Sequence, residues 1–127
     1  MEFTFNNKSS RDFNIKIKKS NHLSIPRRKL EFVEVQGRTD NLIIDEGSRE
    51  MLDIEIEAYI DCRDLDTKAY ALRLDNWLNN TNGYTDLVFD DDTTLKAIFV
   101  GQIDFNTIVK NFNEVLLQFK AYRESDL

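Results

Sequence analysis

The sequence predicts a mainly β protein, an antiparallel β-sandwich with one flanking α-helix. Three observations predict it. Most apolar stretches of the 127 residues alternate with polar ones, the period of a half-buried strand. A single stretch has the helical period: Tyr70, Leu74, Trp77 and Leu78 stand at i, i+4, i+7 and i+8. About nine short strands with one helix cannot make an all-parallel sheet, because each crossover would need a helix of its own. The length fits one domain over 1–127, large enough to hold a core without disulfide staples. Hydrophobic residues at 41% and charged residues at 31% exclude a wholly disordered chain.

Phe13, Ile15 and Ile17 alternate with Asn14, Lys16 and Lys18 as the first long strand. Asn21, Ser24 and Pro26 then break the pattern, and His22 is expected in a surface turn among them. Leu30 to Val35 reads as a strand. Gly37-Arg38-Thr39-Asp40-Asn41 is a polar turn in which Gly37 and Asn41 best tolerate positive φ. Leu42-Ile43-Ile44 follows as a short strand, closed by Asp45-Glu46-Gly47-Ser48.

Met51 to Asp61 is the clearest strand. Leu52, Ile54, Ile56, Ala58 and Ile60 share one face, and Asp53, Glu55, Glu57, Tyr59 and Asp61 share the other. Asp64 or Asp66 can cap the helix, and Asn82-Gly83 can end it with a left-handed residue. Trp77 belongs to the apolar stripe, so it is expected in the core rather than as a binding platform. Tyr84–Phe89 and Leu95–Val100 read as strands joined by a hairpin loop at Asp90–Thr94. Ile103, Phe105 and Thr107 alternate, Asn111-Phe112-Asn113 turns the chain, and Val115, Leu117 and Phe119 mark the last strand.

The formal net charge of −6 hides an asymmetry. Residues 1–30 carry eight basic and two acidic side chains, whereas the other 97 carry nine basic and 21 acidic ones. A basic arm on an acidic body can mark a nucleic-acid partner, but this body would repel phosphates. The alternative is that the two parts meet each other. Lys16 and Lys18 could face Asp53, Glu55 and Glu57 across one sheet, or across the boundary between two copies. The acidic row could also line a channel.

Little in the sequence points to catalysis, and no enzyme activity is expected. His22 is the only histidine and Cys62 the only cysteine, too few ligands for structural zinc. Asp90-Asp91-Asp92 lacks the ordered ligands, glycine and distal glutamate of a calcium loop. Four glycines do not spell a phosphate-binding loop, and no cofactor is expected. The longest apolar runs are about four residues, too short for a transmembrane helix. Met1–Phe5 has neither the basic nor the apolar region of a secretory signal. A lone cysteine fits a reducing compartment. A carbohydrate-binding sandwich would gather exposed aromatics on one face, but Tyr59, Tyr84 and Tyr122 fall on separate predicted strands.

The order of these features resembles a known family. Val35-Gln36-Gly37-Arg38-Thr39-Asp40-Asn41-Leu42 is similar to the Gly-Arg-Asp-Gly turn in distal tail proteins of long-tailed, non-contractile phages. Thr39 stands between the Arg and the Asp, and Asn41 stands where the family usually has Gly. A helix ending in Trp77-Leu78, then Gly83-Tyr84, Leu87 to Asp92, Ala97 to Gly101 and Phe119 to Tyr122 follow in the family's order. Over nearly the whole chain this resembles the family's N-terminal domain. The second, galectin-like or carbohydrate-binding-like domain that usually follows, and that usually carries receptor-binding proteins, is not expected within residues 1–127.

The resemblance implies a sandwich related to the tail-tube fold. It implies a hexameric ring in a phage or prophage virion tail, assembled in the host cytoplasm. That ring would lie between the tail tube and the tail-associated tip protein or baseplate, with DNA passing through it without sequence-specific binding. Arg38 and Asp40 come with it as turn-stabilising or interface residues, and no catalytic residue does. A tail-tube subunit is the nearest alternative, and a carbohydrate-binding module the alternative from another class.

Overall fold

The computed structural model of the chain describes residues 1–63, 65–105, 108, 109 and 112–124. Ten strands and one α-helix run in the order β1 (Phe3–Phe5), β2 (Lys8–Ser9), β3 (Ile15–Ser20), β4 (Arg28–Val33), β5 (Leu42–Arg49), β6 (Leu52–Asp61), α1 (Thr67–Asn79), β7 (Thr85–Phe89), β8 (Thr94–Phe99), β9 (Ile108–Val109) and β10 (Phe112–Tyr122). One sheet has the order β2-β1-β7-β8-β10-β6-β3, with β9 also on β10. The strands β4 and β5 form a separate two-stranded ribbon. All pairings are antiparallel.

The sheet folds over on itself. In a flat sheet β1 and β10 would stand three strand spacings apart, roughly 14 Å. Yet the Phe5 and Phe119 rings are 5.0 Å apart, and Phe3 and Phe119 6.3 Å. The β1 and β10 sides therefore face one another across a shared core, the sandwich that the alternation predicts. The helix stripe joins that core: Tyr70, Leu74, Trp77 and Leu78 are all buried. Trp77 stacks on Phe13 at 4.2 Å, and its indole N–H donates to the Phe5 carbonyl at 2.6 Å. Tyr70 donates its hydroxyl to the Phe13 carbonyl, and burial pushes its pKa up.

The strongest alternations become the strands with one buried face. In β6 the five residues Leu52, Ile54, Ile56, Ala58 and Ile60 are buried, and in β10 Val115, Leu117, Phe119 and Ala121 are. The two strands pair over ten positions, from Phe112–Asp61 to Ala121–Leu52.

Several boundaries differ from the sequence expectation. The strand at Leu42 does not stop at Asp45: β5 continues to Arg49, with Gly47 at φ 75° as a positive-φ residue within it. Gly37 takes positive φ, but Asn41 does not. Asp66 caps α1, its carboxylate accepting from the Ala69 N–H at 3.4 Å, while Asp64 lies outside the described residues. The helix ends at Asn79, before Asn82-Gly83; Gly83, at φ 80°, turns the chain towards β7 instead. Ile103 and Phe105 lie in no strand and pack partly buried against the core, and Thr107 is outside the described residues. Phe112 and Asn113 belong to β10 rather than to a turn; Asn111 is outside the described residues. At the N-terminus, Asn6 (φ 50°) and Asn7 (φ 64°) form the two-residue turn between β1 and β2. Two successive positive-φ residues are what a type I′ hairpin needs.

Candidate assembly interface

The chain leaves the sheet after β3, runs out along β4, turns, and returns along β5. Its root is fixed at several points. Asn21 extends the sheet by one residue: the Glu55 N–H donates to Asn21 Oδ1 at 2.8 Å, and Asn21 Nδ2 donates to the Asp53 carbonyl at 3.0 Å. The Glu50 N–H donates to the Arg27 carbonyl at 2.7 Å, and an Arg28–Asp45 ion pair crosses the ribbon. The Arg28 hydrogen bond holds the Asp45 carboxyl below the usual carboxylate range.

His22 adds the strongest fixing point, and here the sequence expectation is corrected. It is not a surface histidine but is 4% exposed, its ring stacked on Phe89 at 3.9 Å. Nε2 is 2.8 Å from an Asp91 carboxylate oxygen and Nδ1 is 2.9 Å from the Ser20 hydroxyl. The His22 hydrogen bond, aided by the Thr93 hydroxyl and N–H, lowers the Asp91 pKa to about 2. Ser20 Oγ already accepts the His22 N–H, so this chain of three groups clamps the arm root to the β7–β8 loop. The loop carboxylates are thus engaged: Asp90 also accepts from the Glu2 N–H at 3.1 Å. No group of three or more His, Cys, Asp or Glu side chains among the described residues could hold a metal ion.

Beyond the root, the ribbon is apolar without being buried. Cross-strand partners share a face, so Phe32 and Ile43 lie on one side, and Val33 and Leu42 on the other with Ile44. Phe32 is 59% exposed and Ile43 58%. Of the thirteen large hydrophobic residues exposed among those described, seven lie between Leu23 and Ile44, spread over both faces of the ribbon and its root. Arg38 and Asp40 sit at the tip, paired at 2.9 Å, where the Arg38 N–H donates to the Val35 carbonyl to close the turn.

The charged rows lie elsewhere, side by side on the main sheet of one chain. β3 and β6 are neighbours, with Lys16 opposite Tyr59 and Lys19 opposite Glu57. Lys16 Nζ stands 5.7 Å from the Phe112 ring centre, and Lys18 Nζ 5.9 Å from that of Tyr59. Asp53 pairs with Lys120 of β10. Glu55 is exposed through its side chain while its backbone holds Asn21. The row's last member, Asp61, is held down at about 2, first by the Arg63 guanidinium. Cys62 is half-buried, and burial pushes its thiol up. Tyr84 and Tyr122, on separate segments as the sequence predicts, meet edge to face at 5.2 Å.

No family model and no curated protein matches the sequence. Among solved structures, the crystal structure of the Dit (gp 19.1) protein of SPP1 matches with a TM-score of 0.73 at 16% identity. That protein is described as a paradigm of the hub adsorption apparatus in phages infecting Gram-positive bacteria. This chain has the fold of a siphophage distal tail protein. The match covers 94% of this chain and 48% of the SPP1 protein, so the chain spans about half the length of that relative. The resemblance read from the ordered motifs and the match by backbone shape thus reach the same fold independently.

Proposed function

We propose that this chain is a structural component of a phage or prophage tail, a distal-tail-like N-terminal domain over residues 1–127. In this reading it forms a hexameric ring that joins the tail tube to the tail tip or baseplate. Its partners are further copies of itself, the tail-tube protein and the tail-associated tip protein. The observation that carries the reading is the β4–β5 ribbon. A two-stranded hairpin is marginal in water on its own, and this one bears exposed apolar side chains on both faces. Such a ribbon gains stability when other surfaces cover it. A subunit with one projecting arm and a separate receiving surface makes heterologous contacts, the kind that closes into rings.

The Dit-like fold supports a place in the virion tail, and no described helix is long and apolar enough to cross a membrane. Arg38 and Asp40 would then shape the arm tip. Lys16, Lys18, Asp53, Glu55 and Glu57 would form a second, weaker contact face. Mass measurement by light scattering, with negative-stain images, tests the reading. The expected result is a closed particle of six times 14.9 kDa. Open-ended tubes would favour a tail-tube subunit, and a monomer at every concentration would overturn the ring. The Tyr84–Tyr122 contact keeps one rival in view, a glycan-binding face, and glycan-array binding abolished by Tyr84→Ala would favour it.

A further inference from the structure

We propose that Asn82 is a site of spontaneous deamidation, where the chain ages into aspartate and isoaspartate forms; the site is independent of the ring reading above. The sequence holds twelve asparagines, and only Asn82 is followed by glycine. The Asn82-Gly83 pair does not end the helix, since α1 stops at Asn79 and its C-cap is Asn80. Other asparagines are engaged. Asn79 and Asn80 donate to the Asp75 and Asn76 side chains at 2.7 and 3.1 Å. Asn21 is held twice by β6, and Asn113 is buried and donates to the Asp104 carbonyl. Asn82 is exposed, and neither its side chain nor the Gly83 N–H has a hydrogen-bond partner among the described residues.

A side chain on the following residue hinders the approach of its nitrogen to the asparagine side-chain carbonyl, and glycine has none. Gly83 lies at φ 80°, and no atom stands within 4 Å of where a Cβ would be. The Gly83 nitrogen, on losing its proton to hydroxide, attacks Asn82 Cγ. The N–Cγ bond forms, the Cγ–Nδ2 bond breaks, and Nδ2 takes a proton from water and leaves as ammonia. Water then opens the cyclic imide. Cleavage at Cγ gives aspartate. Cleavage at the Asn82 main-chain carbonyl gives isoaspartate, whose backbone runs through Cγ and is longer by a methylene. Either product adds a negative charge to a chain already at −6. The new carboxylate follows the negative end of α1, which has no basic residue in its last turn. The added methylene falls just before Tyr84, whose ring meets Tyr122 and whose hydroxyl lies 3.5 Å from the Met51 sulfur. Ageing of the turn therefore displaces the tyrosine pair.

The test incubates the full chain at mildly acidic and mildly alkaline pH. Trypsin then releases residues 74–96, and fragmentation in the mass spectrometer separates Asn76, Asn79, Asn80 and Asn82. Aspartate and isoaspartate are expected at Asn82 ahead of the other three, and faster at the alkaline pH, because the attacking nitrogen must lose its proton. Labelling by an isoaspartyl methyltransferase should rise in parallel and be lost in Asn82→Gln, whose longer side chain closes the ring poorly. The aged form, separated by anion exchange, should show an altered near-ultraviolet circular dichroism from its tyrosines. Conversion seen only in urea, or no faster at Asn82 than at Asn76, Asn79 and Asn80, would overturn the site. An unchanged tyrosine signal in the aged form would overturn its reach to Tyr84.

Discussion

Trp77 and His22 show how far a single residue can be read. Trp77 was placed in the core by spacing alone, and it lies there with 2% of its surface exposed. Trp77→Ala should cost about 3–5 kcal/mol in urea unfolding, because the stacked rings lose their partner. It also removes the hydrogen bond from the indole N–H to the Phe5 carbonyl. His22 could not be read in this way. Its neighbours in sequence are polar, and the groups that bury it, Phe89 and Asp91, come from a distant hairpin. The clamp has a pH signature. Asp91 titrates at about 2 when folded against 3.8 ordinarily, so its stabilisation is present above about pH 4 and lost as pH falls from about 4 to 2. Asp91→Asn should lower the urea midpoint at neutral pH and flatten its fall over that window. Asp61 contributes a similar fall through Arg63, so part of the slope should remain. The same engagement of Asp90 and Asp91 predicts that a chelator leaves the thermal midpoint unchanged; a drop of several degrees would reveal a bound metal.

At the scale of elements, legibility follows burial. The strands β6 and β10 were plain in the sequence because each has one face in the core and one in water. The end of β5 was not, because none of its eight residues is buried and nothing selects for alternation. Ile103 and Phe105 alternate convincingly yet form no strand; they fill space on the core beside a loop. The helix stripe was legible and its end was not, since Asn79 and Asn80 donate to the Asp75 and Asn76 side chains four residues back and the helix ends without a left-handed residue. The arm yields the prediction for this scale. Phe32→Lys with Ile43→Glu, an opposite-charge cross-strand pair, should leave monomer stability within about 0.5 kcal/mol, as for exposed positions generally. Association measured by light scattering should be lost.

For the whole molecule, strand order was beyond the sequence, because period identifies a strand without naming its neighbours. The charge split is the clearest case: the basic and acidic rows lie beside each other in one sheet, and Asp53 already has Lys120. Assembly driven by the apolar arm should therefore persist in high salt, where the Debye length falls to about 3 Å at 1 M. Dissociation in a salt series would shift the weight to the charged face. The main sheet itself offers poor edges for such assembly. The strand β2 has two residues, and β3 carries Lys16, Lys18 and Lys19 with a register shift after Ile17.

The position of β10 has a consequence for how the protein comes into being. It is the last of the described strands, yet it lies in the middle of the sheet, between β6 and β8. A ribosome delivers it after every other strand. Until Phe112–Tyr122 emerges, β6 and β8 have no strand between them, and each has an unpaired edge. Such a topology joins distant parts of the chain and folds late, with exposed strands meanwhile open to wrong pairings. The nascent chain would thus be a client for chaperones until that strand emerges, and completing the sheet would become a single late event.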